Sequence, residues 1–271
     1  MARPEKLPVR SMLKSRSPTS PSRPGPATAL ACAIAAVLLT SGGADGPEVV
    51  NYREPLREFR QVRVGGWAVS VEKSLQAGSP DVARRALARL AARRAKVLAA
   101  VPAPARERLA RVPFFLMHGP EARGGGRDNG LEYFQKDAPE HHPELDPRWK
   151  DAIVVYSARN YLDISELWAT KALFHEFAHA YHLEQWTEDR PEIVRAWEHA
   201  RDAGLYRDVP DLEEPKVHAT AYALTNPLEY FAELSCMHFV GCNYRPANRA
   251  ELKRYDPDGY AMIREAWRLT R

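Results

Sequence analysis

Apolar and polar positions alternate over residues 61–74 (QVRVGGWAVSVEKS), interrupted by Gly65-Gly66, and this pattern predicts a β-hairpin. The period then becomes helical. Val82, Ala86, Leu90, Val97 and Leu98 form one stripe on a helix running from Pro80 to about Ala100. Ser79-Pro80-Asp81 supplies its start: a capping hydroxyl, a proline for the first turn and an acid. Arg84, Arg85, Arg89, Arg93 and Arg94 are expected on the solvated face of this helix. Val101-Pro-Ala-Pro104 ends it, and a short helix through Leu109 follows. The apolar run 112–117 and the β-branched run Ala152–Tyr156 read as strands, with a flexible Gly-rich loop over 120–130 between them. Two long helical patterns occupy 164–187 and 190–203. An acidic, proline-containing linker (208–216) then leads to a helix that opens at Asn226. Strands first and helices afterwards, without βαβ alternation, predict an α+β domain: a small mixed sheet, then helices.

The chain has 271 residues, 45% of them hydrophobic and 27% charged, which excludes a disordered chain. Its net charge of +4 is unevenly placed. Residues 1–44 hold six basic side chains (Arg3, Lys6, Arg10, Lys14, Arg16, Arg23) against Glu5. Of 39 basic and 35 acidic groups, 33 and 34 remain for residues 45–271, a net of −1. The basicity is therefore no argument for a nucleic-acid partner. It belongs to a segment with the layout of a secretory signal: a basic stretch, the apolar run 27–39, then small residues ending at Ala44. Cys32 lies inside the apolar run rather than after it, which argues against lipidation. Cleavage after Ala44 would leave an exported single domain, 45–271, with no stable membrane insertion. Cys236 and Cys242 then form either a small disulfide loop or two buried thiols.

The chemistry concentrates in two helices. His175-Glu176-Phe177-Ala178-His179 places two imidazoles at i and i+4 on one helical face, the spacing two ligands need to hold a Zn²⁺ ion. Glu176 is adjacent but rotated off that face. It can serve as general base toward a metal-associated water without itself being a ligand. Trp168, Ala169, Ala172, Leu173, Ala180 and Leu183 supply the buried side of the helix. A catalytic zinc site needs a third protein ligand and one open position. Position 185 is Gln, so the spacing of a third histidine six residues beyond His179 fails. Asn226-Pro227 opens a helix on which Glu229 and Glu233 share a face. Glu229 is the expected ligand there, and Glu233 the group that accepts the free N–H of a ligating histidine. Two alternatives stay open. Glu229 also occupies a capping-box position after Asn226, and Glu233 is the rival ligand. Among the remaining histidines, His182 and His218 are candidates for a neighbouring group. His141-His142 is expected in an exposed loop.

His175-Glu-Phe-Ala-His179 followed by Tyr222-x6-Glu229-Tyr-Phe-Ala-Glu233 resembles the zinc-metalloprotease domain of anthrax lethal factor and its small secreted relatives, over about 172–239. The similarity is also read in 248–260. The resemblance implies a zincin-like metalloprotease fold, zinc held by His175, His179 and Glu229, Glu176 as base, and Tyr222 as hydrogen-bond donor to the developing oxyanion. The chain has no room for the toxin's other domains, so neither toxicity nor its substrate preference carries over. The expectation is a monomeric, exported zinc endopeptidase acting on a peptide or protein substrate, with Ala152–Tyr156 as the edge where the substrate pairs. The competing class is a non-catalytic zinc-binding protein, its site closed by His182, His218 or Glu233 as fourth ligand.

Overall fold

A computed structural model describes residues 50–269. The expected signal segment, 1–44, and its cleavage point lie outside the described residues. In chain order the elements are β1 (Phe59–Val64), β2 (Trp67–Glu72), α1 (Lys73–Gly78), α2 (Pro80–Ala100), α3 (Ala103–Leu109), β3 (Phe114–Leu116), β4 (Leu131–Phe134), α4 (Ala138–His141) and β5 (Ala152–Val155). They continue with α5 (Ala158–Asp163), α6 (Glu166–Gln185), α7 (Pro191–Asp202), β6 (Arg207–Pro210), β7 (Val217–Thr220), α8 (Pro227–Phe239), α9 (Arg249–Tyr255) and α10 (Pro257–Ala266). The architecture is α+β. No helix among the described residues is long and apolar enough to cross a membrane.

The main sheet has the order β1-β2-β3-β5-β4. β2, β3 and β5 run parallel, while β1 and β4 pair antiparallel at the two edges. Gly65 and Gly66 turn the β1–β2 hairpin with φ of 56° and 77°, which side chains with a Cβ resist. One face of the sheet, carrying Val69, Val71, Leu116, Ile153 and Val155, packs into the main core with α2 and α6. The other carries Phe115, Val154 and Tyr156 against Tyr52 and Trp149. β5 is buried on both faces, which is why it reads as an unbroken apolar run.

Several expectations change. β5 lies between β3 and β4, so neither of its edges is available to a substrate; β4, for which no strand was expected, forms the edge. The loop 120–130 is tightly packed near its Gly run: a Cβ on Gly126 would sit 2.4 Å from the Gly119 carbonyl oxygen. The linker 208–216 is mostly the end of β6 and the tip of a β6–β7 hairpin. Ser79 precedes α2, yet its hydroxyl makes no capping bond. Of the α2 arginines only Arg84 and Arg85 are well exposed. Arg89 and Arg93 reach Glu166, and Arg94 lies over the Trp67 ring at 4.6 Å. The part of α2 that bears Arg89 and Arg93 is covered by the turn into α6, so those guanidinium groups serve as packing, while Arg84 and Arg85 keep the solvated position expected.

Candidate metal centre

α6 starts where the Ser165 hydroxyl accepts the Trp168 N–H. It is buried on every side from Ala169 to His182 except at half-buried Ala172, as a helix crossing a core must be. α8 starts where the Asn226 side chain accepts the Glu229 N–H at 2.8 Å, with Pro227 in the first turn. The packing of α8 against α6 brings together side chains that are more than 50 residues apart in sequence.

His175 Nε2 and His179 Nε2 lie 2.9 Å apart. Glu229 Oε2 lies 2.9 Å from the first and 3.3 Å from the second. All three side chains are buried. A tetrahedral zinc with ligands at about 2.0–2.1 Å requires donor atoms roughly 3.3 Å apart, so these atoms nearly form one face of such a tetrahedron. Two imidazole nitrogens and a carboxylate converging this closely need positive charge among them. The donor set therefore fits a divalent cation. Among the described residues no fourth His, Cys, Asp or Glu joins this set.

The carboxylate of Glu233 accepts the Nδ1–H of His175 at 2.8 Å, which leaves Nε2 to face Glu229 and His179. Glu233 is thus on the far side of the ring, in the place expected for the orienting group. It also belongs to a second convergent set, with His175 and Cys236. Glu229 does not bend back to complete a capping box; its carboxylate faces the two histidines. The Nδ1 of His179 is buried and has no hydrogen-bond partner among the described residues, in contrast to that of His175.

Burial opposes charge on Glu229, but His179 and His175 outweigh it and hold its carboxyl well below the ordinary range. Burial likewise opposes charge on Glu233, where Lys171, His175 and Tyr244 bring the pKa down to about 2. For His175, burial is outweighed by Cys236, Glu229 and Glu233, which raise its pKa. Burial pushes Glu176 up to about 8, with Glu229 and Glu132 adding to the rise and His175 and the Tyr133 N–H opposing it. A carboxylate tuned toward neutrality is suited to exchanging a proton.

Glu176 lies beside the donor set without joining it, and its Oε2 accepts the backbone N–H of Tyr133 on β4 at 2.8 Å. Tyr222 has its ring centroid 5.8 Å from that of His175. Burial first, then Glu229, Glu176 and Glu233, raise its phenol above the usual range. The other histidines face elsewhere. His182 Nε2 donates to the Thr187 carbonyl at 3.1 Å, and His218 Nε2 lies 2.9 Å from Asp211 Oδ2. His141 is exposed, at the end of the short helix α4. Cys236 and Cys242 are both free and buried, which answers the disulfide alternative with two thiols.

Three parts of this neighbourhood were not expected from the sequence. The Tyr133 N–H is a backbone group and carries no side-chain signature. Glu132, next to it, is buried on the opposite sheet face, accepting from Tyr156 Oη at 2.6 Å and Arg127 Nη1 at 2.8 Å. Lys171 is buried within α6; a lysine inside an otherwise apolar helical run was the available signal. No protein-family model, curated protein or solved structure matches the chain.

Proposed function

We propose that the protein is a zinc-dependent endopeptidase with a zincin-like catalytic domain, in which His175, His179 and Glu229 hold the metal and Glu176 is the general base. The observation that carries this reading is the position of Glu176 beside three convergent donors that no fourth protein donor among the described residues closes. Zinc held there would supply Lewis acidity, acidifying water and polarising a carbonyl oxygen. Glu176 takes the proton of the attacking water and delivers it to the departing nitrogen. Tyr222 donates its hydroxyl hydrogen to the oxygen that gains charge. Glu233 keeps the His175 ring in one orientation.

An extended peptide is accommodated along β4, the edge strand, whose outward backbone groups pair with it as Glu176 releases the Tyr133 N–H. This replaces β5 in the expected role. A strand beside the base brings the scissile bond near Glu176 by backbone pairing, with little demand on substrate side chains.

The test is zinc content together with cleavage of a mixed peptide library by the wild type and by Glu176→Ala, with a chelator control. Zinc in both proteins and chelator-sensitive cleavage only in the wild type supports the peptidase. Zinc in both and cleavage in neither favours a zinc-binding protein or hydrolysis of a non-peptide amide. A wild type that takes up no zinc ends the reading.

A further inference from the structure

Lys171 stands one helical turn before His175 on α6 and is only 4% exposed. Stripping an ammonium of water costs several kcal/mol unless the protein replaces those interactions. Here it does. Lys171 Nζ lies 2.9 Å from Glu233 Oε2 and donates to Asn243 Oδ1 at 3.0 Å. The rings of Trp168 and Tyr244 flank it, with centroids at 4.7 and 5.1 Å.

The other oxygen of Glu233 is the one that accepts from His175. Tyr244 Oη donates to Oε2 as well, at 2.5 Å. Both carboxylate oxygens are therefore committed, one to the imidazole and one to the ammonium and phenol. A carboxylate held only through Oε1 can rotate about its last bond; one held at both ends cannot. Beyond Lys171 the polar contacts continue outward. Asn243 Nδ2 donates to Asp211 Oδ2 at 2.8 Å, the oxygen that also faces His218, and the Asn243 carbonyl accepts the Leu212 N–H at 2.7 Å. Asp211 and Leu212 belong to the β6–β7 hairpin, whose second strand ends two residues before Tyr222.

We infer that Lys171 is a positioning residue of the metal centre: it clamps Glu233 in the orientation that holds the His175 imidazole toward Glu229 and His179. The inference rests on the metal reading proposed above. It assigns a buried lysine a role through another side chain, so its signature is dependence on Glu233 rather than loss of stability alone.

The experiment is a double-mutant cycle on zinc affinity, measured by competition with a chelating indicator on the folded protein. Lys171→Met is expected to weaken zinc binding about 10- to 100-fold in the wild-type background, the range for removing a support of a ligating histidine. In the Glu233→Gln background, the same substitution is expected to change affinity less than about threefold, because the group it acts through is already altered. Equal affinity of wild type and Lys171→Met overturns the inference, as does the same fold-loss in both backgrounds. If Lys171→Met alone does not fold, Lys171→Met/Glu233→Gln leaves no unpaired buried charge and is compared with Glu233→Gln. A difference of tenfold or more there overturns the inference, and one below about threefold supports it. Absence of zinc binding by the wild type removes the metal reading and this inference together, whereas zinc bound equally with and without Lys171 removes this inference alone.

Discussion

The backbone N–H of Tyr133 donates to Oε2 of Glu176 at 2.8 Å, tying the edge strand of the sheet to the acid of the HExxH helix. One oxygen of Glu176 is thereby held while its carboxyl stays buried, with a pKa near 8. Glu176→Gln preserves the shape and still offers Tyr133 an acceptor, but it removes the base. Its melting temperature and zinc content are expected to match the wild type, while the rate of peptide cleavage falls about 10²- to 10⁴-fold. A variant that cleaves at the wild-type rate removes Glu176 from the mechanism.

Because His175, His179 and Glu229 converge only in the folded chain, metal binding is expected to stabilise it. At free zinc about 100 times Kd the linkage is about 2.7 kcal/mol, which corresponds to a rise of roughly 5–10 °C in melting temperature for a domain of this size. Chelation should reverse the rise. In Glu229→Ala the zinc-dependent shift is expected to shrink to a small fraction of this, and scanning calorimetry with and without zinc measures it. An undiminished shift in Glu229→Ala would place the metal elsewhere.

Tyr222 is half-buried beside His175, and its phenol is within hydrogen-bond reach of Glu229. Loss of its hydroxyl in Tyr222→Phe is expected to lower kcat about 10²- to 10³-fold with KM and zinc affinity little changed, the pattern of a group that acts only on the transition state. Steady-state kinetics on one good peptide substrate decides this. Unchanged kcat would leave the phenol a packing role.

What could be read from the sequence tracks how local each interaction is. His175, Glu176 and His179 are fixed relative to one another by helical period alone, and Asn226-Pro227 marks its helix start just as locally. Glu229 became readable as a candidate because two histidines on one helical face call for a third donor from elsewhere, and a helix start offered a carboxylate. β4 was not readable: Leu131, Glu132, Tyr133 and Phe134 are all buried, with Glu132 neutralised by partners that no alternation reveals. Lys171 was not singled out in its helical run, and its partner Asn243 lies 72 residues further on, a pairing only the tertiary fold provides. Arg89 shows the same limit. Its position on the polar stripe of α2 was correct, but at Arg89 that stripe is covered by another part of the chain.

Arg89 Nη1 donates to the Tyr161 and Leu162 carbonyls at 2.6 and 2.9 Å, and Nη2 to those of Ile164 and Ser165 at 2.8 and 3.0 Å. It thereby satisfies the Tyr161 and Leu162 carbonyls at the end of α5 and ties them to the turn into α6, where the Ser165 carbonyl also accepts the Ala169 N–H. Arg89→Met is expected to cost about 1–3 kcal/mol, since part-buried acceptors lose a charged donor. Arg84→Met, on a side chain 73% exposed, should stay within about 0.5 kcal/mol. Urea midpoints of the two variants compare them directly. Equal effects would show that the guanidinium of Arg89 is no more structural than a solvated one.

His182 and His238 give the stability a predictable pH dependence. Burial first, and then His179, lowers His182 to about 4; its ring packs against Phe231 and Trp186, 5.0 and 5.9 Å between centroids. Burial, followed by Arg249 and Arg264, lowers His238 to about 4 as well. In the unfolded chain both titrate near 6.5. Between pH 6.5 and 4 the unfolded state therefore takes up protons at these two histidines that the folded state refuses, so their contribution to stability falls as pH falls through this window and levels off below about 4. Glu176 and Glu132, raised to about 8 and about 7, take up protons in the folded state first and oppose that fall down to about pH 4.5. Glu233, with its carboxyl held near 2, contributes its own loss only below about 4.5, so the upper window is free of it. In His182→Gln the drop in unfolding free energy from pH 7 to pH 4.5 is expected to be smaller than in the wild type by about 2 kcal/mol. Denaturant titrations at the two pH values measure that difference, in which the titrations of His175 and His179 cancel to first order. Parallel pH profiles for the two proteins would mean that His182 takes up its proton as readily in the folded chain as in the unfolded one.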